Sequence, residues 1–114
     1  MNSRNKGKRG ELEFAHWLTD RGYKSRRGQQ HKGTPDSPDV ITDLEGVHFE
    51  VKRVERLELH KALQQAIDEK GEGEIPVVAY RRNRGEWIAI LRMEDLIFLI
   101  KETHKIKWKG AIND

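Results

Sequence analysis

The stretch DVITDLEGVHFEVKRV, Asp39 to Val54, constrains the fold most, because it is patterned as strand and yet carries charge inside the pattern. Val40-Ile41 and Val47 to Val51 are strand-like on either side of Glu45-Gly46, a two-residue turn signal. The segment reads as a β-hairpin. With that turn, Leu44 pairs with Val47, and continuing the ladder sets Asp39 opposite Lys52. Side chains alternate faces along a strand, so Glu50 and Lys52 share a face about 6.6 Å apart, while Phe49, Val51 and Arg53 take the other. This register gathers Asp39, Glu50 and Lys52 on one face. A slip of one residue sends Asp39 to the opposite side.

The remaining elements follow from periodicity and punctuation. A helix is expected from Lys8 to Arg21, with Gly22 as its stop. Tyr23 to Arg26 fits a short strand, and residues 27–38 a polar loop with two glycines and two prolines. A second helix runs from Arg56 to Lys70 and ends at Gly71. Strands 76–81 and 86–91 are joined by the turn Asn83-Arg84-Gly85, and Met93 to Thr103 is a strongly apolar helix. The order is α-β-β-β-α-β-β-α, an α/β fold in which helices flank a mixed β-sheet. At 114 residues the chain is expected to form one domain, 1–114, with a basic N-terminal arm over 1–9 and an irregular tail over 104–114.

Composition narrows the class. Charged residues (36 %) are as frequent as hydrophobic ones (35 %), and the formal net charge is +3, so a polyanionic partner is permitted. Cysteine is absent, which excludes disulfides and thiolate metal sites. No apolar run approaches the roughly 20 residues of a membrane span, and the basic start lacks the apolar stretch of a signal peptide. These features lead us to expect a cytoplasmic protein with no membrane partner.

Glu11 is out of place on the first helix. Leu12, Phe14, Ala15 and Leu18 define an apolar arc, and Glu11 falls among them, four residues before Ala15 and seven before Leu18. A carboxylate aimed at a core costs several kcal/mol unless a cation or donor meets it. A frayed helix start, where Glu11 complements the N-terminal dipole, is the plainer alternative. The preceding Lys-Gly-Lys-Arg-Gly is basic and glycine-rich, which suits close approach of a phosphate backbone. Asp39 and Glu50 on adjacent strands suit an oxygen-liganded cation such as Mg²⁺ or Mn²⁺, and Lys52 beside them suits water activation or phosphate stabilisation. A cross-strand salt bridge on a surface hairpin explains the same residues without chemistry.

Taken together, these residues resemble a known pattern. SPDV followed by FEVKRV resembles the PD-(D/E)xK nuclease signature, read as Pro38-Asp39 and then Glu50-Val51-Lys52. GKRGELEFAHWLTDRGY resembles the helix that precedes the signature in the archaeal and phage Holliday junction resolvase branch, where a glutamate completes the site. ALQQAIDEKGEGEIPVVAYRRNRGEW is similar to the later part of small endonucleases of the superfamily. The resemblance covers roughly residues 6–100 and implies a restriction-endonuclease-like fold. It implies Asp39, Glu50 and the Val51 carbonyl as ligands of Mg²⁺, with Mn²⁺ a substitute. Glu11 holds metal waters or a second ion, and Lys52 positions the attacking water. Gln65 supports Lys52 or the scissile phosphate, a role neighbouring Gln64 fits nearly as well. The implied activity is that of a metal-dependent endodeoxyribonuclease of recombination and repair, leaving a 5′-phosphate on four-way junctions. The alternatives are a nuclease of repair or degradation acting on duplex or single strands, and a non-catalytic DNA-binding module. Two features depart from the resolvase pattern: only Ser25 and Ser37 bracket the loop that usually carries a serine, and the tail is short. They bear on junction specificity more than on catalysis.

DNA is the expected partner. Lys6, Lys8, Arg9, Arg26, Arg27, Lys32, Arg81, Arg82 and Arg84 cluster in sequence around the candidate site and suit salt-dependent phosphate contacts. His31 suits a solvent-facing loop position better than a catalytic one, and Trp87 a core position better than a base-stacking platform. Trp17 and Trp108 suit a subunit contact. The helix beginning at Met93 is apolar all round, so it is either deeply buried or part of a homodimer interface.

Overall fold

A computed structural model describes residues 3–28, 39–103, 105–106 and 110 of the chain. The expectations for His31, Lys32, Pro38 and Trp108, and for most of the tail, lie outside the described residues, as does the side chain of Lys6. The elements are α1 (Ser3–Asp20), β1 (Ser25–Arg27), β2 (Val40–Thr42), β3 (Val47–Arg53), α2 (Leu59–Glu69), β4 (Ile75–Arg81), β5 (Ile88–Ile90) and α3 (Met93–Glu102). This is the α/β order expected. The strands divide into an antiparallel pair, β1-β2, and a mixed sheet, β3-β4-β5. β3 and β4 are parallel, with Glu50 opposite Val78, and β4 and β5 antiparallel, with Ala79 opposite Ala89. The β3-α2-β4 crossover accounts for β4, whose residues Ile75 to Ala79 are all buried, as in parallel strands covered on both faces.

The expected hairpin over 39–54 does not form a ladder. Among the described residues β2 pairs with β1, and β3 with β4. Thr42 explains the parting. Its Oγ1 accepts from Ser25 Oγ at 2.8 Å and from the Leu44 N–H at 3.2 Å, while Asp43 N–H donates to the Lys24 carbonyl at 3.0 Å. The end of β2 is thereby tied to β1. Gly46 still turns with a positive φ of 88°, but its carbonyl accepts from Ile75 N–H at 2.8 Å, so the chain enters β3 already bonded to β4. The Leu44–Val47 and Asp39–Lys52 pairings are therefore corrected.

Alternation along β3 holds. Phe49 and Val51 pack toward α1, where Phe14, Ala15, Leu18, Val40, Val51 and Ala79 form one core. Ala62 and Ala66 of α2 pack with Val78 in a second core on the other face. Leu12 is 46 % exposed, contrary to the apolar arc assigned to it. It lies about 100° around the helix from Glu11, outside the buried arc of Phe14, Ala15 and Leu18.

α1 starts at Ser3, so the basic segment expected as an arm is helical through Arg9. Gly10 is the reason α1 can lie against β3. A Cβ there meets Arg53 Cβ at 2.5 Å, so the close approach needs glycine. The glycine expected to admit a phosphate backbone admits a strand instead. Trp17 stacks on Phe14 with ring centroids 5.7 Å apart, packing within its own chain. Trp87 lies 4.9 Å from the Phe14 ring and is half-buried against the core, as expected. β5 is shorter than the expected strand, leaving 82–87 as the connection, with Arg84 at φ 61°. α3 has no buried residue, which rules out the deeply buried alternative. No helix among the described residues is long and apolar enough to cross a membrane.

Candidate active site

Asp39 reaches β3 through its side chain. The Val51 N–H donates to Asp39 Oδ2 at 2.8 Å. Val54 N–H goes to the Arg81 carbonyl of β4, so the even-numbered residues of β3 bond toward β4 and the odd ones present N–H and C=O at the opposite edge. The carboxylate thus occupies the edge position that a hairpin partner strand was expected to fill. Strand geometry points the Val51 carbonyl to this same edge. Convergence of Asp39 with Glu50 occurs as expected, by a different route.

His48, Glu50 and Lys52 share the face of β3 that looks onto α2. Lys52 Nζ lies 3.6 Å from Glu50 Oε1 and donates to Gln65 Oε1 at 3.2 Å. Gln64 points away and donates to Asp68 at 2.9 Å on the exposed side, so α2 presents Gln65, not Gln64, to the lysine. Gln65 Nε2 in turn donates to Glu69 Oε1 at 3.3 Å. Glu69 was not singled out in the sequence. The signal available was its i,i+4 spacing from Gln65, which places both on one helix face.

Glu11 lies on the buried arc of α1, as its phase predicted, and accepts from Arg27 Nε at 2.7 Å. Arg27, expected at phosphate, is thus engaged within the chain. Arg81 likewise donates from Nε to the Gly85 carbonyl at 2.8 Å and lies 3.8 Å from Glu13. Lys8, Arg9, Arg26, Arg82 and Arg84 are exposed.

The acids disturb one another. Burial, and next the neighbouring Asp39 charge, pushes the Glu50 carboxyl up to about 9, with Glu69 adding to the effect. Burial also raises Asp39, against the lowering effect of the Val51 N–H. Burial raises Glu11 as well; Arg27 opposes the shift and Asp39 reinforces it. Glu50 Oε2 finds no donor among the described residues, its neighbours being the carboxyls of Asp39 and Glu69, and His48 Nε2 has no hydrogen-bond partner among them either. A carboxyl that is 3 % exposed, has one oxygen without a donor and is crowded by acids suits a cation position. The residues present therefore fit a divalent, oxygen-liganded metal.

No family model and no curated protein matches the chain. Among solved structures, the chain is similar to the Holliday junction resolvase of the archaeal hyperthermophile Archaeoglobus fulgidus, at 22 % sequence identity and a TM-score of 0.57. The match covers 73 % of this chain and 74 % of that one. The chain thus has the α/β fold of that Holliday junction resolvase.

Proposed function

We propose that the chain is a metal-dependent endonuclease that hydrolyses phosphodiester bonds in branched DNA, with the four-way junction as its substrate. The observation that carries this reading is Asp39 on the Val51 N–H, beside a buried Glu50 that has Lys52 at 3.6 Å. Asp39, Glu50 and the Val51 carbonyl are the proposed ligands of Mg²⁺ or Mn²⁺, and Glu11 the outer carboxylate. When bound, such a cation supplies charge neutralisation at the phosphate and a more acidic water.

The chain's own groups do the rest. The Val51 N–H fixes the Asp39 carboxylate. Lys52 orients the attacking water and places a positive charge where the phosphate gains negative charge. Gln65 restrains the Lys52 ammonium, whose four-carbon stem is otherwise free. Arg27 of β1 fixes the Glu11 carboxylate of α1. Exposed Lys8, Arg9, Arg26, Arg82 and Arg84 grip phosphates without reading sequence, so binding weakens as salt rises. Two chains paired through α3 bring two sites to the two strands that junction resolution must cut.

The test is cleavage of a four-way junction, a flap, nicked duplex and plain duplex in Mg²⁺. Symmetric paired nicks in the junction are expected. Asp39→Asn and Lys52→Ala are each expected to lower the rate by about 10²-fold or more, the range of losing a positioned acid–base or electrostatic group. Intact substrates throughout, or full activity in Asp39→Asn, refute the nuclease reading. Cleavage of duplex in preference to the junction refutes the resolvase.

A further inference from the structure

We propose that His48, Glu50 and Glu69 form a second cation position, selective for a transition-metal dication such as Mn²⁺ or Zn²⁺, that shares Glu50 with the first. This deepens the nuclease reading at the shared carboxylate, but the binding it predicts stands without any cleavage.

One potential ligand atom from each of the three residues lies within 4.8 Å of the others, a span a single ion can bridge. Three independent features point to a missing positive charge. His48 is 6 % exposed, and its Nε2 has no hydrogen-bond partner among the described residues. A buried imidazole nitrogen without a partner carries a desolvation cost that coordination removes. Glu50 Oε2, on the next inward-facing position of β3, likewise finds no donor among the described residues and faces only other carboxyls. Glu69 is the last residue of α2, where a negative side chain meets the negative end of the helix dipole. No described basic residue makes an ion pair with Glu69, which accepts from the neutral Gln65 amide and otherwise meets the Glu50 carboxyl.

The donor set decides the metal. Asp39, Glu50 and a backbone carbonyl are all oxygen and suit Mg²⁺. A nitrogen with two carboxylates favours Mn²⁺ and, more strongly, Zn²⁺, because Mg²⁺ prefers oxygen and gives up its waters reluctantly. β3 builds both positions from one strand. Edge-directed backbone at Val51 serves one, and the α2-facing side chains of His48 and Glu50 serve the other. A transition metal on His48 and Glu69 therefore also changes the charge on the carboxylate that the first position uses.

The test uses the full chain stripped with chelator and titrated separately with Mg²⁺, Mn²⁺ and Zn²⁺ by calorimetry. Electron spin echo spectra of the Mn²⁺-loaded wild type follow. Modulation from a directly bound imidazole ¹⁴N is expected. Zn²⁺ is expected to bind more tightly than Mg²⁺, and Glu69→Gln and His48→Gln to weaken Mn²⁺ by at least about tenfold, the lower end seen for losing even an outer partner of a ligand. Circular dichroism verifies that each variant folds, and the echo spectrum needs no variant. Absence of ¹⁴N modulation overturns the proposal, as do Mn²⁺ affinity unchanged in a folded Glu69→Gln variant and Zn²⁺ binding no tighter than Mg²⁺. Nitrogen coordination without DNA cleavage overturns the nuclease reading and leaves this site standing. Cleavage in Mg²⁺ without nitrogen coordination does the reverse.

Discussion

At the scale of single residues, the protonation of Glu50 makes a prediction that needs no substrate. Its carboxyl stands at about 9 in the metal-free fold, raised chiefly by burial, whereas an unfolded glutamate titrates near 4.5. Between those values the folded chain keeps a proton that the unfolded chain has released. The unfolded state binds fewer protons, so stability falls as pH rises through this window. Asp39 and Glu11, also raised chiefly by burial, act in the same direction. In chelator, the melting temperature is expected to decline by several degrees between pH 5 and pH 9, since ~1 kcal/mol moves a domain of this size by about 3–6 °C. Saturating Mn²⁺ is expected to flatten the decline, because a cation takes the place of the proton. A melting temperature that holds steady or climbs over this range in chelator contradicts the electrostatics described here.

At the scale of elements, the seam between α1 and β3 depends on one glycine. Gly10→Ala puts a Cβ 2.5 Å from Arg53 Cβ, which is part of the strand's own stem and cannot swing aside. Overpacking of this kind costs ~1–3 kcal/mol, more than the ~1 kcal/mol that alanine gains in helix propensity. Gly7→Ala, one turn earlier, meets nothing within 4 Å and is expected to stabilise by up to about 1 kcal/mol. Urea denaturation of the two variants measures both signs, and Gly10→Ala matching Gly7→Ala would show that the seam has slack. Such pairings decide what the sequence could disclose. The phase of Glu11 on α1 and the alternation of Glu50 and Lys52 on β3 are periodic properties, written locally, and both were legible. The partner of each strand was not. Glu45-Gly46 does make a turn, but side-chain bonds from Thr42 and the Ile75 N–H send its two arms to different neighbours. Asp39 still reaches Glu50, because a carboxylate can span a strand edge where a backbone ladder was expected. Glu69 stayed hidden because its significance depends on which helix face meets β3.

At the scale of the whole molecule, α3 is the unfinished surface. Met93 is 66 % exposed and Phe98 53 %, and the helix buries no residue in its own chain. An exposed apolar helix suits the subunit contact of the proposed dimer. Light scattering is expected to give a dimer, and Phe98→Glu to raise its dissociation constant by at least about tenfold. A two-fold interface loses the phenyl contact twice, and each ~1.4 kcal/mol is a factor of ten. The variant should nick junctions without pairing the cuts. A wild type that stays monomeric at tens of micromolar would sink both expectations. The parallel pairing of β3 with β4 also sets an order of events in time. Asp39, Glu50, Lys52 and Glu69 have all been synthesised before Ile75, yet among the described residues the ladder that holds β3 is supplied by Ile75 to Arg81. A growing chain that already contains these acids still lacks the strand against which β3 is laddered. The ladder that fixes Glu50 and Lys52 on β3 therefore forms only after β4 has been made.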